Sequence, residues 1–169
     1  MPLISIVVPS RAKDILLLQG LLDALAVQSL LDFEVLIICD RYFSEQEWKE
    51  FLQFFTVYEG GNLQGKIRFF SHCNSDFTPQ SKGGASAVRN YGIKHAKGSF
   101  IQLFDDDNRF VAEYLETTLS LYENYRYQLG KEVIITPTLM RRESHQIQNQ
   151  GFSAYNYWLA RPQIHFLPP

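Results

Sequence analysis

The sequence predicts an α/β protein in which a mainly parallel β-sheet is flanked by helices, in three αβα layers. Short apolar runs, typical of buried strands, alternate with longer segments that have the 3.6-residue apolar period of helices. This alternation is the signature of β-α-β units, in which a helix connects two parallel strands. The 169 residues, 46% of them hydrophobic, are sufficient for one domain with a sizeable core.

The first two predicted strands are almost wholly apolar. Residues 3–8 (LISIVV) form the first, which Pro9 is expected to end, and residues 34–39 (EVLIIC) form the second, which ends at Asp40. Between them, a broad leucine stripe at helical spacing predicts a helix over residues 14–29. These three segments form the first β-α-β unit.

A capping box predicts where the second helix begins. Ser44 is the expected N-cap, because Glu47 follows three residues later, and an aromatic face indicates a helix over residues 45–55. Residues 66–71 (KIRFFS) form the third predicted strand, and residues 72–82 form a polar loop.

The third helix is predicted over residues 84–96, with Gly98 as its C-terminal cap. Residues 99–104 form a short and mostly apolar run, which is typical of a strand that is covered on both faces. A fourth helix is predicted over residues 112–128, ended by Gly130. Right-handed crossovers are expected to bring the ends of strands one, two and four to one edge of the sheet.

The apolar pattern weakens after the fifth predicted strand. Residues 132–136 (EVIIT) form this strand, which Pro137 is expected to end. The remaining chain contains several aromatic residues but no clear period. We therefore predict a core domain over residues 1–138, followed over residues 139–169 by the start of a region that is truncated.

Composition disfavours several classes of protein. A net charge of -2 argues against a nucleic-acid binder, which usually presents a basic face. The two cysteines, Cys39 and Cys73, provide neither a disulfide framework nor a metal-ligand spacing, so a reducing cytoplasm is the simplest setting. The sequence shows no signal peptide and no apolar run of the ~18 residues that a membrane-spanning helix needs.

Three consecutive aspartates, residues 105–107, directly follow the fourth predicted strand. In an open parallel sheet, ligands bind at the carboxyl ends of the strands. Adjacent carboxylates repel one another, and a hard divalent cation such as magnesium, manganese or calcium relieves that repulsion. The segment therefore predicts a metal-bridged phosphate ligand, and the alternative is a solvated turn or a cap of the next helix.

A glycine-rich helix precedes this strand and these aspartates, and it matches most positions of the pattern G-x-x-x-A-R-N-x-G followed by D-x-D. The matching residues are Gly84, Arg89, Asn90, Gly92 and the three aspartates. The segment resembles the family 2 glycosyltransferases, which have the Rossmann-like GT-A fold and bind a nucleoside diphosphate sugar. The resemblance implies that Asp105 and Asp107 bind Mn2+ or Mg2+, and that Asp106 faces the sugar or its ribose.

The resemblance extends to the ends of the first two strands. The family's P-T-Y-N-R turn lies where this chain has Pro9, Ser10 and Arg11, followed by Ala12 and Lys13, so its tyrosine and asparagine are absent here. The family usually has two aspartates after the second strand, one of which pairs with an N–H of the base. Here Cys39 takes the first position, and Asp40 remains as the candidate, since a carboxylate can accept the N–H of uracil, thymine or guanine. The alternatives are a structural turn after the first strand and a capping role for Asp40.

The resemblance implies an inverting transfer of the sugar to an acceptor hydroxyl. Arg89 is expected to position the diphosphate or to hold the aspartate loop, and the metal to stabilise the leaving diphosphate. The family's carboxylate base lies well downstream of D-x-D, but Glu143 is the only acidic residue after Arg142. We therefore name no catalytic residue, and we expect the acceptor side to be incomplete and the isolated chain to turn over poorly.

The expected partners are a nucleoside diphosphate sugar as donor and a glycan or lipid of unknown identity as acceptor, as in polysaccharide biosynthesis. We expect no nucleic-acid partner, and a homodimer is left open. The expected location is the cytoplasm, peripheral to the membrane where the chain is part of a longer parent protein.

Three other classes compete with a glycosyltransferase. A sugar-1-phosphate nucleotidyltransferase has a glycine-rich loop after its first strand, whereas residues 10–13 contain no glycine. A receiver-type signalling domain needs acidic residues after strand one, where this chain has Pro9 and Ser10. A non-catalytic interaction domain would keep the fold and the aspartates, and metal-dependent nucleotide binding separates it from an enzyme fragment.

Overall fold

The computed structural model describes residues 1–71, 73–74, 77–78 and 84–130, and the strand backbone of residues 133–141 and 158–166. The chain forms two compact units: Met1–Ala26 with Leu31–Asp106, and Val27–Leu30 with Asp107–Pro169. The division of the chain into a core over residues 1–138 and a further region stays a prediction.

A four-stranded parallel sheet forms the centre of the first unit. Its strands are β1 (Ile4–Ser10), β2 (Phe33–Cys39), β3 (Ile67–Phe70) and β4 (Phe100–Leu103). They lie in the order β3-β2-β1-β4, and each neighbouring pair is parallel. The predicted parallel sheet is confirmed, and because β2, β1 and β4 are adjacent and parallel, their carboxyl ends lie along one edge as expected.

Three helices belong to the same unit: α1 (Ile15–Ala26), α2 (Glu45–Gln53) and α3 (Gly84–His95). The predicted capping box is present, because the Ser44 side chain accepts from the Glu47 N–H and the Glu47 carboxylate accepts from the Ser44 N–H. α2 ends two residues earlier than predicted, and two short 3-10 helices follow it, at Thr56–Glu59 and Gly61–Leu63.

Aromatic contacts show that α2 and α3 cover opposite faces of the sheet. Phe51 and Phe55 pack on Phe69 of β3, with ring centroids 5.9 and 5.0 Å apart. Tyr91 of α3 packs on the next residue, Phe70, at 5.7 Å. Because successive strand residues point to opposite faces, the two helices lie on either side of the sheet. The predicted three-layer αβα architecture is therefore confirmed.

β1 continues through Pro9, so the prediction that this proline ends the first strand was wrong. The Val7 carbonyl accepts from Phe104 N–H after β4, whereas the Ser10 carbonyl accepts from Asp40 N–H after β2. Strand residues two apart face the same neighbour, so Pro9 faces the β4 side. The pairing with β4 extends only to Val7, and the missing N–H of Pro9 therefore costs no ladder hydrogen bond.

β4 is not covered on both faces, contrary to the prediction. Ile101 is 44% exposed and Leu103 is 43% exposed, although Phe104, directly after the strand, is buried. Strand residues two apart point to the same face, so one face of β4 is open. The apolar run therefore predicted the strand correctly, but it did not predict which faces of the strand are buried.

Gly98 does not cap α3, although the sequence predicted that it would. The helix ends at His95, and Gly98 does not adopt the left-handed conformation of a capping glycine. A Cβ atom on Gly98 would lie 2.5 Å from the backbone nitrogen of Ser5. This glycine is therefore required by the close approach of the chain to β1.

The second unit contains the helix α4 (Tyr114–Leu129) and an antiparallel pair of strands, β5 (Val133–Arg141) and β6 (Trp158–Phe166). Gly130, at φ 60°, caps α4 as predicted. β5 continues through Pro137, so the prediction that this proline ends the fifth strand was wrong. A two-stranded sheet has an outer side on each strand, where a proline removes no ladder hydrogen bond.

Among the residues that the structure describes, no helix is both long and apolar enough to cross a bilayer.

Candidate functional site

The carboxyl ends of β1, β2 and β4 meet at one edge of the sheet. Ser10 is the last residue of β1 and is paired with Cys39, the last residue of β2. Asp40 follows β2, and its N–H donates to the Ser10 carbonyl at 2.7 Å. Asp105 follows two residues after the end of β4. The chain thus brings its predicted strand-end residues to the edge where open parallel sheets bind ligands.

Ser10 connects the first strand to the aspartate motif. Its buried hydroxyl donates to Asp106 Oδ2 at 2.6 Å, and it accepts from the Ala12 N–H at 2.9 Å. The hydroxyl thus uses its single proton for the carboxylate of Asp106 and one of its two lone pairs for the Ala12 N–H. The hydroxyl of Ser10 therefore fixes both the start of the loop after β1 and the orientation of Asp106.

Arg89 connects α3 to the same motif. Its Nη2 forms an ion pair with Asp105 Oδ1, and the two side chains are 29% and 56% exposed. At such exposure an ion pair contributes little to folding stability. Its effect is geometric, because it joins the predicted glycine-rich helix to the segment after β4. Holding this loop is one of the two roles that the resemblance implies for Arg89.

Asp40 and Arg11 are two charged residues at this edge. Within the described part of the chain, neither side chain forms a hydrogen bond or an ion pair. Asp40 is partly exposed, and Arg11 is exposed. Pro9 lies partly exposed within β1. A partly exposed carboxylate can accept an N–H from a base, and an exposed guanidinium suits a phosphate. The described geometry is therefore compatible with the predicted roles, which stay predictions.

Sequence reasoning missed Ala12 and Arg41. Ala12 is buried and has a left-handed backbone, with φ 50°, and its carbonyl accepts from Arg41 Nη1 at 3.4 Å. An alanine gives no signal of such a conformation. The available signal was the family's P-T-Y-N-R turn, whose asparagine aligns with position 12. Asparagine is one of the few residues that tolerate the left-handed region, so the alignment indicated this conformation.

Cys39 stands where the resembled family usually has an aspartate. Burial raises the pKa of its thiol well above the ordinary value, and the nearby negative charge of Asp106 acts in the same direction, while Arg41 opposes it. The side chain is fully buried. Cys39 is therefore a neutral thiol of the core, and Asp40 carries the carboxylate at the end of β2.

Asp107 is the first residue after the first unit, and its carboxylate accepts from Asn108 Nδ2 at 3.3 Å. Within the described part of the chain, no group of three or more His, Cys, Asp or Glu side chains is arranged to hold a metal ion. Magnesium usually takes only one or two protein carboxylates, and carboxylate oxygens suit magnesium and manganese. The donor set of the aspartate motif fits such an ion, and the metal-binding roles of Asp105 and Asp107 stay predictions.

Comparison with known proteins identifies the family. The chain matches the sequence model described as Glycosyl transferase family 2 over residues 5–163. Over 80 residues it is 26% identical to the minor teichoic acid biosynthesis protein GgaB of Bacillus subtilis (strain 168), and this match covers 46% of this chain and 9% of GgaB.

Solved structures of TarS from S. aureus have a similar fold. The TarS structure superposes with a TM-score of 0.55 at 21% identity, covering 73% of this chain and 20% of TarS. TarS 1-349 in complex with UDP-GlcNAc has a TM-score of 0.55 at 22% identity, covering 73% of this chain and 32% of that one. The similarity supports the GT-A fold.

The chain spans about a third or less of the length of these relatives. The family model, in contrast, matches nearly all of this chain, from residue 5 to residue 163 of 169. The protein therefore belongs to glycosyl transferase family 2.

Proposed function

We propose that this chain binds a UDP-sugar and forms the donor side of an inverting, metal-dependent glycosyltransferase. The observation that carries the proposal is the convergence of Ser10, Asp106, Asp105 and Arg89 at the carboxyl edge of the sheet, next to Asp40. Family membership removes the nucleotidyltransferase and receiver alternatives.

The base and the diphosphate have separate candidate ligands at this edge. Asp40 accepts the imide N–H of uracil, since its carboxylate is partly exposed and has no other side-chain partner in the described chain. Arg11 neutralises charge on the diphosphate. Asp105 and Asp107 would hold Mn2+ or Mg2+, which when bound supplies charge stabilisation to the leaving diphosphate. UDP-GlcNAc is the first candidate donor, because the similar TarS 1-349 was solved in complex with it.

The acceptor is a hydroxyl group of a teichoic-acid-type polymer, by analogy with GgaB, a minor teichoic acid biosynthesis protein. Deprotonation of that hydroxyl requires a general base, and we assign none. Glu143, the only acidic residue after Arg142, lies outside the described residues. We further propose that the protein works in the cytoplasm, peripheral to the membrane, where a polymer intermediate is accessible.

Calorimetric titration with UDP, GDP, dTDP and CDP, each with and without Mn2+, tests this function. We expect UDP alone of the four to bind tightly, with Mn2+ required, and Asp107→Ala to abolish the binding. Lys49→Gln, which removes an exposed charge on α2, is the matched control and is expected to bind as the original protein does. Failure of all four diphosphates to bind would favour a non-catalytic interaction domain that has kept the fold.

A further inference from the structure

Arg41, the residue after the candidate base ligand, stacks on the ring of a buried phenylalanine. The centre of its guanidinium lies 4.2 Å from the centroid of the Phe43 ring. Phe43 is buried, and its ring packs against Trp48 at 5.1 Å and Phe51 at 5.2 Å. A guanidinium that stacks on a fixed ring loses little further freedom when its donors reach other groups. Arg41 is therefore anchored rather than loosely solvated.

The donors of Arg41 reach two other elements. Nη1 donates to the Ala12 carbonyl in the loop after β1, and Nη2 forms an ion pair with Glu47 of α2, each at 3.4 Å. Each contact is long, and together they span the loops that follow β1 and β2. Arg41 thus connects the loop that carries Arg11 to the helix that follows Asp40.

Ala12 is the point at which this connection matters most. Its left-handed φ of 50° is costly for a residue with a Cβ atom, and such a conformation persists only where surrounding groups hold it. Both of its backbone polar groups are held by side chains. The N–H donates to Ser10 Oγ, and the carbonyl accepts from Arg41. Ser10 is in turn bonded to Asp106, so one chain of contacts extends from Arg41 to the aspartate motif.

We propose that Arg41 is a positioning residue of the donor site, and that it acts by clamping Ala12 in its left-handed conformation. The clamp fixes the backbone on one side of Arg11, while Ser10 fixes the other side, so the guanidinium of Arg11 is presented to the diphosphate. The identity of the ligand in this inference rests on the proposed function. The contact between Arg41 and Ala12 is independent of that function.

The clamp is tested first without nucleotide, by NMR amide hydrogen exchange. In Arg41→Gln the Ala12 amide is expected to exchange about tenfold faster, since without the contact at its carbonyl the left-handed conformation of Ala12 is held by the Ser10 side chain alone. The amide of Ile6 in β1 and the melting temperature are expected to stay unchanged, because Arg41 is 37% exposed and its ion pair is a surface one. The matched control is Lys49→Gln, in which the exchange rate of the Ala12 amide is expected to stay unchanged. An unchanged Ala12 exchange rate in Arg41→Gln would overturn the proposal.

The second test measures UDP affinity of the same proteins with Mn2+. Arg41→Gln is expected to bind UDP about tenfold more weakly, and Lys49→Gln to bind it normally. If the original protein binds UDP and Arg41→Gln binds it equally well, Arg41 does not position the site. If affinity falls but Ala12 exchange does not rise, Arg41 acts by direct contact and the clamp is refuted. If the original protein binds no nucleotide, the proposed function fails, while the exchange experiment still decides the clamp.

Discussion

The hydroxyl of Ser10 has one proton and two lone pairs, and in this fold it acts both as a hydrogen-bond donor and as an acceptor. The proton goes to Asp106, and a lone pair accepts the Ala12 N–H. A single small side chain thus sets the geometry of the aspartate motif and of a strained loop residue. A threonine has the same hydroxyl, which is consistent with the threonine of the resembled P-T-Y-N-R turn.

Two substitutions of Ser10 distinguish the role of its hydroxyl from that of the rest of the side chain. Ser10→Ala is expected to lower the free energy of unfolding by ~1–2 kcal/mol, since it leaves a buried N–H unpaired, and to weaken UDP binding. Ser10→Thr retains the hydroxyl and is expected to bind UDP like the original protein. Urea denaturation and calorimetry measure the two effects, and equal UDP affinity in Ser10→Ala and Ser10→Thr would contradict the assignment.

Residue types at strand ends could be predicted from sequence, and backbone strain could not. Ser10, Asp40, Asp105 and Asp106 lie at or just after the ends of apolar runs, and the carboxyl ends of parallel strands share one edge, so the sequence alone places these residues together. The left-handed φ of Ala12 arises from tertiary contacts, and alanine has no local preference for it.

At the scale of elements, α3 depends on one glycine to reach the sheet. A Cβ atom on Gly92 would lie 2.3 Å from Val7 Cγ1 and 2.8 Å from Ile38 Cδ1. The absence of a side chain allows the helix that carries Arg89 to lie close to β1 and β2. The distance of the helix from the sheet therefore positions the Arg89–Asp105 ion pair.

Gly92→Ala is expected to destabilise the protein by ~1–3 kcal/mol, because overpacking outweighs the ~1 kcal/mol that alanine gains over glycine in a helix. Gly60→Ala is the matched control, since a Cβ atom there meets nothing within 4 Å and the backbone φ is -114°. Urea denaturation of both variants measures the difference. A Gly92→Ala protein as stable as Gly60→Ala would mean that α3 does not need this close approach.

A buried carboxylate connects three elements at the opposite end of the strands. Glu34 of β2 accepts from Ser5 Oγ at 2.7 Å and from Arg68 Nη1 at 3.0 Å, and it also accepts from the Lys97 N–H at 2.7 Å. Burial by itself raises the pKa of Glu34, but these hydrogen bonds outweigh it and hold the pKa below the usual range.

The lowered pKa of Glu34 predicts a pH dependence of stability. Its contribution is fully present above the unfolded-state pKa of about 4.3 and is lost as the pH falls through the lower folded-state pKa. Glu34→Gln is expected to cost ~1–3 kcal/mol at pH 7, since its amide NH2 faces donors. The difference from the original protein is expected to shrink below about pH 4. Chemical denaturation between about pH 3 and 7 measures it, with Glu59→Gln at an exposed site as control. A difference that stays constant with pH would contradict the assignment.

The elements themselves were predictable, and their ends were less so. Apolar runs and the capping box at Ser44 were sufficient to place the strands and α2, because these signals are local. Pro9 and Pro137 were wrongly taken as strand ends, because the cost of a proline depends on whether a neighbouring strand needs its N–H. That information lies in the topology of the sheet and not in the local sequence.

At the scale of the whole molecule, most of the predicted site residues belong to the first unit. Ser10, Asp40, Arg89, Asp105 and Asp106 belong to the first unit, and Asp107 belongs to the second. The chain also covers at most about a third of the TarS structures that it resembles. The first unit is therefore the part on which nucleotide binding can be tested most directly.

The chain contains two tryptophans, and they report on different units. Trp48 lies in the first unit, stacked on Phe51 at 5.4 Å, and Trp158 lies in the second. In Trp158→Phe, fluorescence therefore follows the unfolding of the first unit alone. A ligand at about 100 times its Kd adds ~2.7 kcal/mol to the stability of the form that binds it.

UDP with Mn2+ is expected to raise the melting transition of Trp48 by roughly 10–20 °C, the shift that this added stability gives in a unit of about 100 residues. Mn2+ alone is expected to have a smaller effect, because the proposed ion needs the diphosphate to complete its ligands. Adding Asp105→Asn to the Trp158→Phe protein is expected to remove the shift. A Trp48 transition that does not move with saturating UDP and Mn2+ would contradict nucleotide binding at the edge formed by β1, β2 and β4. A shift that Asp105→Asn abolishes would instead tie the nucleotide to the aspartate motif.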